Sequence, residues 1–440
     1  MNHLACTAES TSRPRAGAHI LGRHGSHHLA AFLFVAGAAA LAACQFDPGK
    51  LTPGDPDRPD ADPDTPDASP FDAGAPDATA CVWSYVPRYV EPCAAGKPPQ
   101  DFDVFLPPFV PLVYDTTTGE LTGLEISDGL TTDEAGVHTL WVRDFIVPTG
   151  VTLRVKGDAP LMIVASGTIT VNGVIDASSV RVTAPEAFDR GPGVEPPECS
   201  STAPEAGGEC DHGGAGGGGG GFGGAGGLGG DGGGRRGCGS TLSSPGGAGG
   251  KAVSVPDKIR AGCAGERGGI GDQDNAYGDG GAGGGAVHLV ARVRIDVGGT
   301  IHAGGAGGYA GEDRRSGGGG GGSGGFIGLE APAIVLGADA VLAANGGGGG
   351  GGTDGPDEAS SGTDAVAVDG PAAGGTGYVT SIGDAGGGEG SALDDLTGGD
   401  GGEGDRGGGG GGGGAGYILF YESSPALTGT PIISPKPTQL

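Results

Sequence analysis

The chain has 440 residues, with 53 aspartates and glutamates against 24 lysines and arginines, and a formal net charge of −29. That surplus excludes nucleic acid as a partner, because such affinity comes from neutralised phosphates, and it opposes adsorption to anionic headgroups. It fits a solvated, exposed surface, with cation binding as the sharper alternative.

Arg13, Arg15 and Arg23 precede an apolar run of 15 residues, Leu29 to Ala43. A bilayer-spanning helix needs about 20 residues, so the run reads as the core of a secretory signal. It closes with Leu41-Ala42-Ala43-Cys44, which resembles a bacterial lipobox. The resemblance implies export, cleavage before Cys44 and acylation of that cysteine. Gln45 follows in place of an aspartate that would resemble an inner-membrane retention signal, so the implied destination is the outer membrane. Residues 1–43 are expected to be a lipoprotein signal peptide, with an ordinary signal peptide cut at Ala-x-Ala as the alternative.

Residues 44–80 hold the expected lipidated cysteine and a stalk. Eight prolines and nine aspartates fill Phe46 to Ala80. Proline fixes φ, the carboxylates repel, and little apolar surface is available for burial, so the tract is expected to be disordered and extended. From about Cys81 the composition becomes that of a folded body. Residues 81–135 are expected to form an N-terminal cap region, in which Phe105, Phe109, Val110, Leu112, Val113 and Tyr114 begin a core. Six cysteines, Cys81, Cys93, Cys199, Cys210, Cys238 and Cys263, follow Cys44. An even number in an exported chain reads as disulfides. Cys81 with Cys93 is the local pair, and the other four allow three pairings.

Short strand signals then crowd together. Val151-Thr152-Leu153-Arg154-Val155 alternates apolar and polar, as a half-buried strand does. Leu161 to Val164, Ile169 to Val171 and Val174-Ile175 follow. The segment Ile163 to Ala177 recurs without a gap as Leu289 to Ala303, aligning Ile169, Val171 and Ile175 with Ile295, Val297 and Ile301. A third copy, Leu329 to Ala344, places Ile334, Leu336 and Leu342 at the same apolar positions after a two-residue insertion. A last strand is expected at Tyr417 to Tyr421. Repeating short strands predict an all-β protein over residues 136–434, a parallel β-helix-like β-solenoid whose rungs stack because none can bury its apolar face alone. A β-sandwich is the alternative.

The insertions between copies are glycine-rich, with 83 of the 104 glycines between residues 211 and 420. Ordering glycine costs more entropy than ordering any other residue, so disorder is one expectation. A period of three is the other. Phe222, Ala225, Leu228 and Asp231 are each followed by two glycines, and Thr397 and Asp400 lead to Glu403 in the same way. Three residues per turn is the geometry of a polyproline-II or polyglycine-II helix, with two bare faces to pack and one to display side chains.

Few residues suggest chemistry. Asp394, Asp395, Asp400, Glu403 and Asp405 form the densest acidic group outside the stalk and are the candidate ligands for calcium, a hard cation that takes such oxygens. No other cofactor is expected. Asp176 and Asp296 lie at nearly equivalent repeat positions, and His302 matches Asp176. On a β-solenoid such residues suggest a polysaccharide lyase or glycosidase, if they converge on one groove. No Ser-His-Asp or Cys-His context stands out.

Together the lipobox, the Asp/Pro stalk, the repeated strands and the glycine runs resemble the glycine-rich surface lipoproteins of the myxobacterial type. That resemblance implies an envelope location and supplies no catalytic residues. The expectation is an outer-membrane-anchored, surface-exposed lipoprotein with a structural, adhesive or binding role. Its partners would be the membrane, through the lipid, and envelope glycan, a matrix or another cell. A carbohydrate-active enzyme is the alternative.

Overall fold

The computed structural model describes residues 81–440 except 95–96, 98–102, 108–111, 123–129, 183–186, 194, 234–242, 273–275, 313, 356–358, 379–382 and 422–423. The signal segment 1–43, Cys44, the stalk to residue 80, Phe109, Val110 and Cys238 lie outside the described residues.

Alternating and β-branched segments become short strands throughout. β1 (Val104–Phe105), β2 (Leu112–Asp115), β3 (Glu120–Leu121) and β4 (Thr131–Glu134) come first. Then the chain makes repeated three-strand passes. The first is β5 (Val137–Val142), β6 (Phe145–Val147) and β7 (Thr152–Lys156), and the second is β8 (Leu161–Ala165), β9 (Thr168–Val171) and β10 (Val174–Asp176). A small hairpin, β11 (Val180–Arg181) with β12 (Phe188–Asp189), precedes a 3-10 turn at Pro197–Ser201. The third pass is β13 (Ala286–Ala291), β14 (Arg294–Val297) and β15 (Thr300–His302). The fourth is β16 (Phe326–Glu330), β17 (Ile334–Leu336) and β18 (Val341–Ala343). The fifth is β19 (Tyr417–Tyr421), β20 (Ala426–Leu427) and β21 (Ile432–Ser434), and β22 (Thr438–Gln439) begins another.

Each pass visits three sheets in the same order. Sheet I is β22-β19-β16-β13-β8-β5-β4, sheet II is β1-β6-β9-β14-β17-β20, and sheet III is β21-β18-β15-β10-β7-β2-β3. Pairing from pass to pass is parallel, and among the described strands only β2–β3, β4–β5 and β11–β12 run antiparallel. The protein is all-β, and among the described residues the three large sheets are mainly parallel, with β11–β12 as a small fourth sheet. Within 81–135, β1 extends sheet II, β2 extends sheet III, and β4 pairs with β5 of sheet I.

The register follows the sequence repeat residue for residue. Ile163 pairs with Leu289 and Leu289 with Leu329 in sheet I. Ile169, Ile295 and Ile334 form a column in sheet II, and Ile175, Ile301 and Leu342 one in sheet III. All nine belong to one buried apolar cluster between the sheets, with Leu112 and Tyr114 from β2. Phe105, expected in that core, is exposed. Burying each such aliphatic side chain contributes about 1.5–3 kcal/mol.

Sheet I is buried on both faces, so β8, β13 and β16 show no exposed residue. Its outward side chains Met162, Val164, Val290, Phe326 and Leu419 join a second cluster with Phe222, Ile259 and Ala261. A sheet covered twice reads as a continuous apolar run, unlike the alternating strands of the other sheets. Part of the cover is the segment 81–94, closed by the expected Cys81–Cys93 disulfide. Tyr85 donates its hydroxyl to Ala291 O at 2.9 Å, and Tyr89 donates to Pro256 O at 3.2 Å.

The glycine tracts are the rest of the cover, and they are ordered by hydrogen bonds with a three-residue period. In the tract 214–222, the amides of Gly214, Gly217 and Gly220 donate to the carbonyls of Arg315, Gly318 and Gly321. Those of Ala215 and Gly218 donate to Gly208 and Glu205, and those of Gly216, Gly219 and Phe222 to Gly230, Gly227 and Gly224. These bonds measure 2.8–3.0 Å. Three amide phases thus address three neighbouring tracts, which satisfies the buried backbone without strands. The tract 316–325 is bonded to tracts around residues 217, 266, 281, 309, 350 and 408, six neighbours in all.

Cys199 pairs with Cys263 at a Cα separation of 5.5 Å, and Cys210 is also disulfide-bonded. The Cys199–Cys263 link closes a loop across a sequence separation of 64 residues, which corresponds to about 4 kcal/mol of lost unfolded-state entropy. Cys263→Ser is expected to speed hydrogen exchange in tracts 205–271 before it affects β8 or β13. Equal exchange in the variant and the parent would show that the hydrogen bonds alone hold the tracts.

Candidate functional site

The parallel register of sheet III brings together Arg154 of β7, Asp176 of β10 and His302 of β15. Asp176 Oδ1 lies 3.6 Å from Arg154 Nη1 and 3.7 Å from His302 Nδ1. The group is internally committed. Arg154 Nε donates to Asp189 Oδ2 at 3.0 Å, and its Nη1 donates to Ser178 O at 2.6 Å. Asp176 Oδ1 accepts from Ser178 Oγ at 2.6 Å. Burial lowers the His302 pKa below its ordinary value, with Arg154 adding to the effect, while Asp176 opposes it. A neutral imidazole follows, with Nε2 buried and unbonded.

Asp296 does not join this group. It sits on β14 of sheet II and pairs with Arg294 at 2.6 Å. Asp176 and Asp296 therefore do not form the facing carboxylate pair that glycoside hydrolysis uses. The acidic residues proposed for calcium are likewise spread out. Asp400 and Glu403 lie three residues apart on one tract. Asp400 accepts from Leu228 N at 2.8 Å, and Asp395 accepts from Thr397 N at 3.2 Å. Among the described residues no three His, Cys, Asp or Glu side chains gather into a metal-holding group.

What the tracts assemble is a set of loops. Tracts 277–285, 316–325 and 407–416 run into β13, β16 and β19, while 303–311 and 344–353 leave β15 and β18. Their other ends meet one another through side chains. Asp354 pairs with Arg315 at 3.4 Å and with Arg406 at 3.3 Å, and Arg315 reaches Asp272 at 3.9 Å. The backbone adds to this, since Gly214 N donates to Arg315 O and Gly233 N to Arg406 O. Asp272, Arg315, Asp354 and Arg406, from four separate segments, are thereby held together. Arg314 and Arg315 both have positive φ, 39° and 72°, a conformation that non-glycine residues adopt only when their surroundings impose it. Along an outer tract Thr397, Asp400 and Glu403 are all exposed at the three-residue period, a row of side chains displayed on glycine backbone.

Sequence reasoning found the display period and missed this charged group, because its ion pairs join residues 39 to 52 positions apart with no local signature. Comparison of the chain with protein-family models, with curated proteins and with solved structures finds no match.

Proposed function

We propose that the chain is an outer-membrane-anchored surface lipoprotein with a structural, adhesive or binding role, and that its body is a β-solenoid carrying a bundle of polyglycine-II helices. The observation that carries the reading is the tract 316–325, hydrogen-bonded to six neighbouring tracts. Such an array is a stiff post made almost without side chains. Its use is to hold loops and a row of polar side chains at fixed positions, where envelope glycan, a matrix or another cell can meet them. Strands stacked pass on pass in three mainly parallel sheets supply the base. The lipobox resemblance and the Asp/Pro tract supply an anchor and a spacer. The enzyme alternative draws no support from Asp176, Asp296 and His302, since the carboxylates lie in different sheets.

The anchor has a direct test. Mass spectrometry of the mature chain is expected to find an acylated Cys44 at the N-terminus, and Cys44→Ser to abolish both acylation and membrane retention. An unmodified N-terminus downstream of residue 44 would overturn the anchor. Surface labelling of whole cells separately tests display, and a body reached only after the outer membrane is opened would overturn the adhesive role.

A further inference from the structure

Arg260 is 5% exposed, yet no carboxylate among the described residues lies within 4 Å of its guanidinium. Its Cζ stands 4.5 Å over the ring of Phe222, and its closest polar contact is Cys199 Sγ, 3.9 Å from Nη1. Burial lowers its pKa below the ordinary value, only partly offset by Glu198 and Tyr417. A cation removed from water without a carboxylate partner is costly, and this one forms part of the wall of a cleft of about 260 Å³. Val253, Val255, Pro256, Ser254 and Ser201 complete most of that wall.

The cleft is built rather than incidental. Tyr417 donates its hydroxyl to Val253 O at 2.5 Å, and Tyr89 donates to Pro256 O at 3.2 Å, so one wall is fixed from behind. The Cys199–Cys263 disulfide fixes the other, holding the Pro197–Ser201 turn beside Arg260. At the rim Glu198 is ion-paired with Lys258, and Asp257 also lines the opening.

We infer that this cleft binds a single sugar-acid residue, its carboxylate on Arg260 and its ring between the Val253–Pro256 wall and Ser201. The charge on Arg260 calls for one anionic group. The rim carboxylates, on a chain of net charge −29, disfavour a second. The volume falls just below the roughly 300–1,000 Å³ of drug-sized sites and suits one ring with apolar and hydroxyl-bearing faces. The inference deepens the binding role proposed above, and its measurement on purified protein does not depend on where the protein resides.

The test is saturation-transfer NMR on the purified full chain with D-galacturonate, D-galactose and D-glucosamine as probes. Galacturonate is expected to bind with a Kd of about 1 mM, and galactose and glucosamine at least about tenfold more weakly. Arg260→Gln removes galacturonate binding. Because Arg260 also packs on Phe222, Ser254→Trp serves as the second variant. It fills the cleft from an exposed position, keeps Arg260 and is expected to abolish binding with melting unchanged. Three results would overturn the site: no galacturonate binding at about 50 mM, well above that Kd; equal binding of galactose; or galacturonate binding unaltered by Ser254→Trp. A displaced subcellular location would leave all of these outcomes unchanged, so the two proposals fail separately.

Discussion

Gly320→Ala is expected to destabilise the protein by more than about 3 kcal/mol, at the upper end of overpacking effects. Gly320 lies in the tract with six bonded neighbours. Its amide donates to Glu266 O at 2.9 Å, and its carbonyl accepts from Gly281 N at 2.8 Å. A Cβ there would fall inside the van der Waals shell of the Gly218 carbonyl oxygen. That oxygen is backbone and accepts from Glu266 N at 2.9 Å, so it cannot turn aside as a flexible side chain would. Gly370→Ala is the matched control, because a Cβ at Gly370 meets nothing within 4 Å. It is expected to change stability by under about 0.5 kcal/mol, with the smaller entropy of the unfolded alanine chain offsetting any loss. Denaturant unfolding of both variants gives the comparison. Equal midpoints would show that the tracts are not close-packed.

Glu330→Ala is expected to cost about 2–5 kcal/mol, because it leaves two donors at a buried site without their acceptor. Glu330 and His288 are almost wholly buried on the outward face of sheet I. Glu330 Oε2 accepts from His288 Nε2 at 3.0 Å, and Oε1 accepts from Arg88 N at 2.8 Å. Truncation leaves an imidazole whose Nδ1 already has no partner and frees the backbone of the segment 81–94. Glu330→Gln keeps an acceptor in place and should cost closer to about 1 kcal/mol. Unfolding gives the energies, and limited proteolysis near Tyr89 reports the release. If the alanine and glutamine variants lose the same small amount, the pair does not hold that segment. The arrangement also explains Gly328, which pairs with His288 across β13 and β16. Any Cβ there would collide with the imidazole Nδ1.

Much of this architecture is legible in the amino-acid sequence. The repeat of Ile163 to Ala177 at Leu289 and Leu329 gave the pairing register directly, because a parallel stack puts equivalent apolar residues in one column. The glycine triplets gave the three-residue hydrogen-bond period, because only a residue without a side chain leaves two faces bare. Cys81 with Cys93 was the local pair that chain proximity favoured. Sheet I was harder to read. β5 and β13 carry His138, Thr139 and His288 among buried residues, and their partners come from elsewhere. His138 meets Tyr114 at 2.8 Å and Asp133 at 2.6 Å.

The sequence alone determined what each segment buries and which period it follows, since both are set by neighbours a few residues away. Tertiary structure decided which segments meet. Asp176 and His302 are 126 positions apart and share a column, while Asp296 aligns with Thr170, six positions earlier in the repeat, and lies on another sheet. Within those six positions the chain has turned from one strand to the next, and so from sheet II to sheet III. Arg260 and the Glu330–His288 pair were invisible for the same reason. A charge becomes unusual only when folding takes it out of water, and that depends on whatever packs over it from distant parts of the chain.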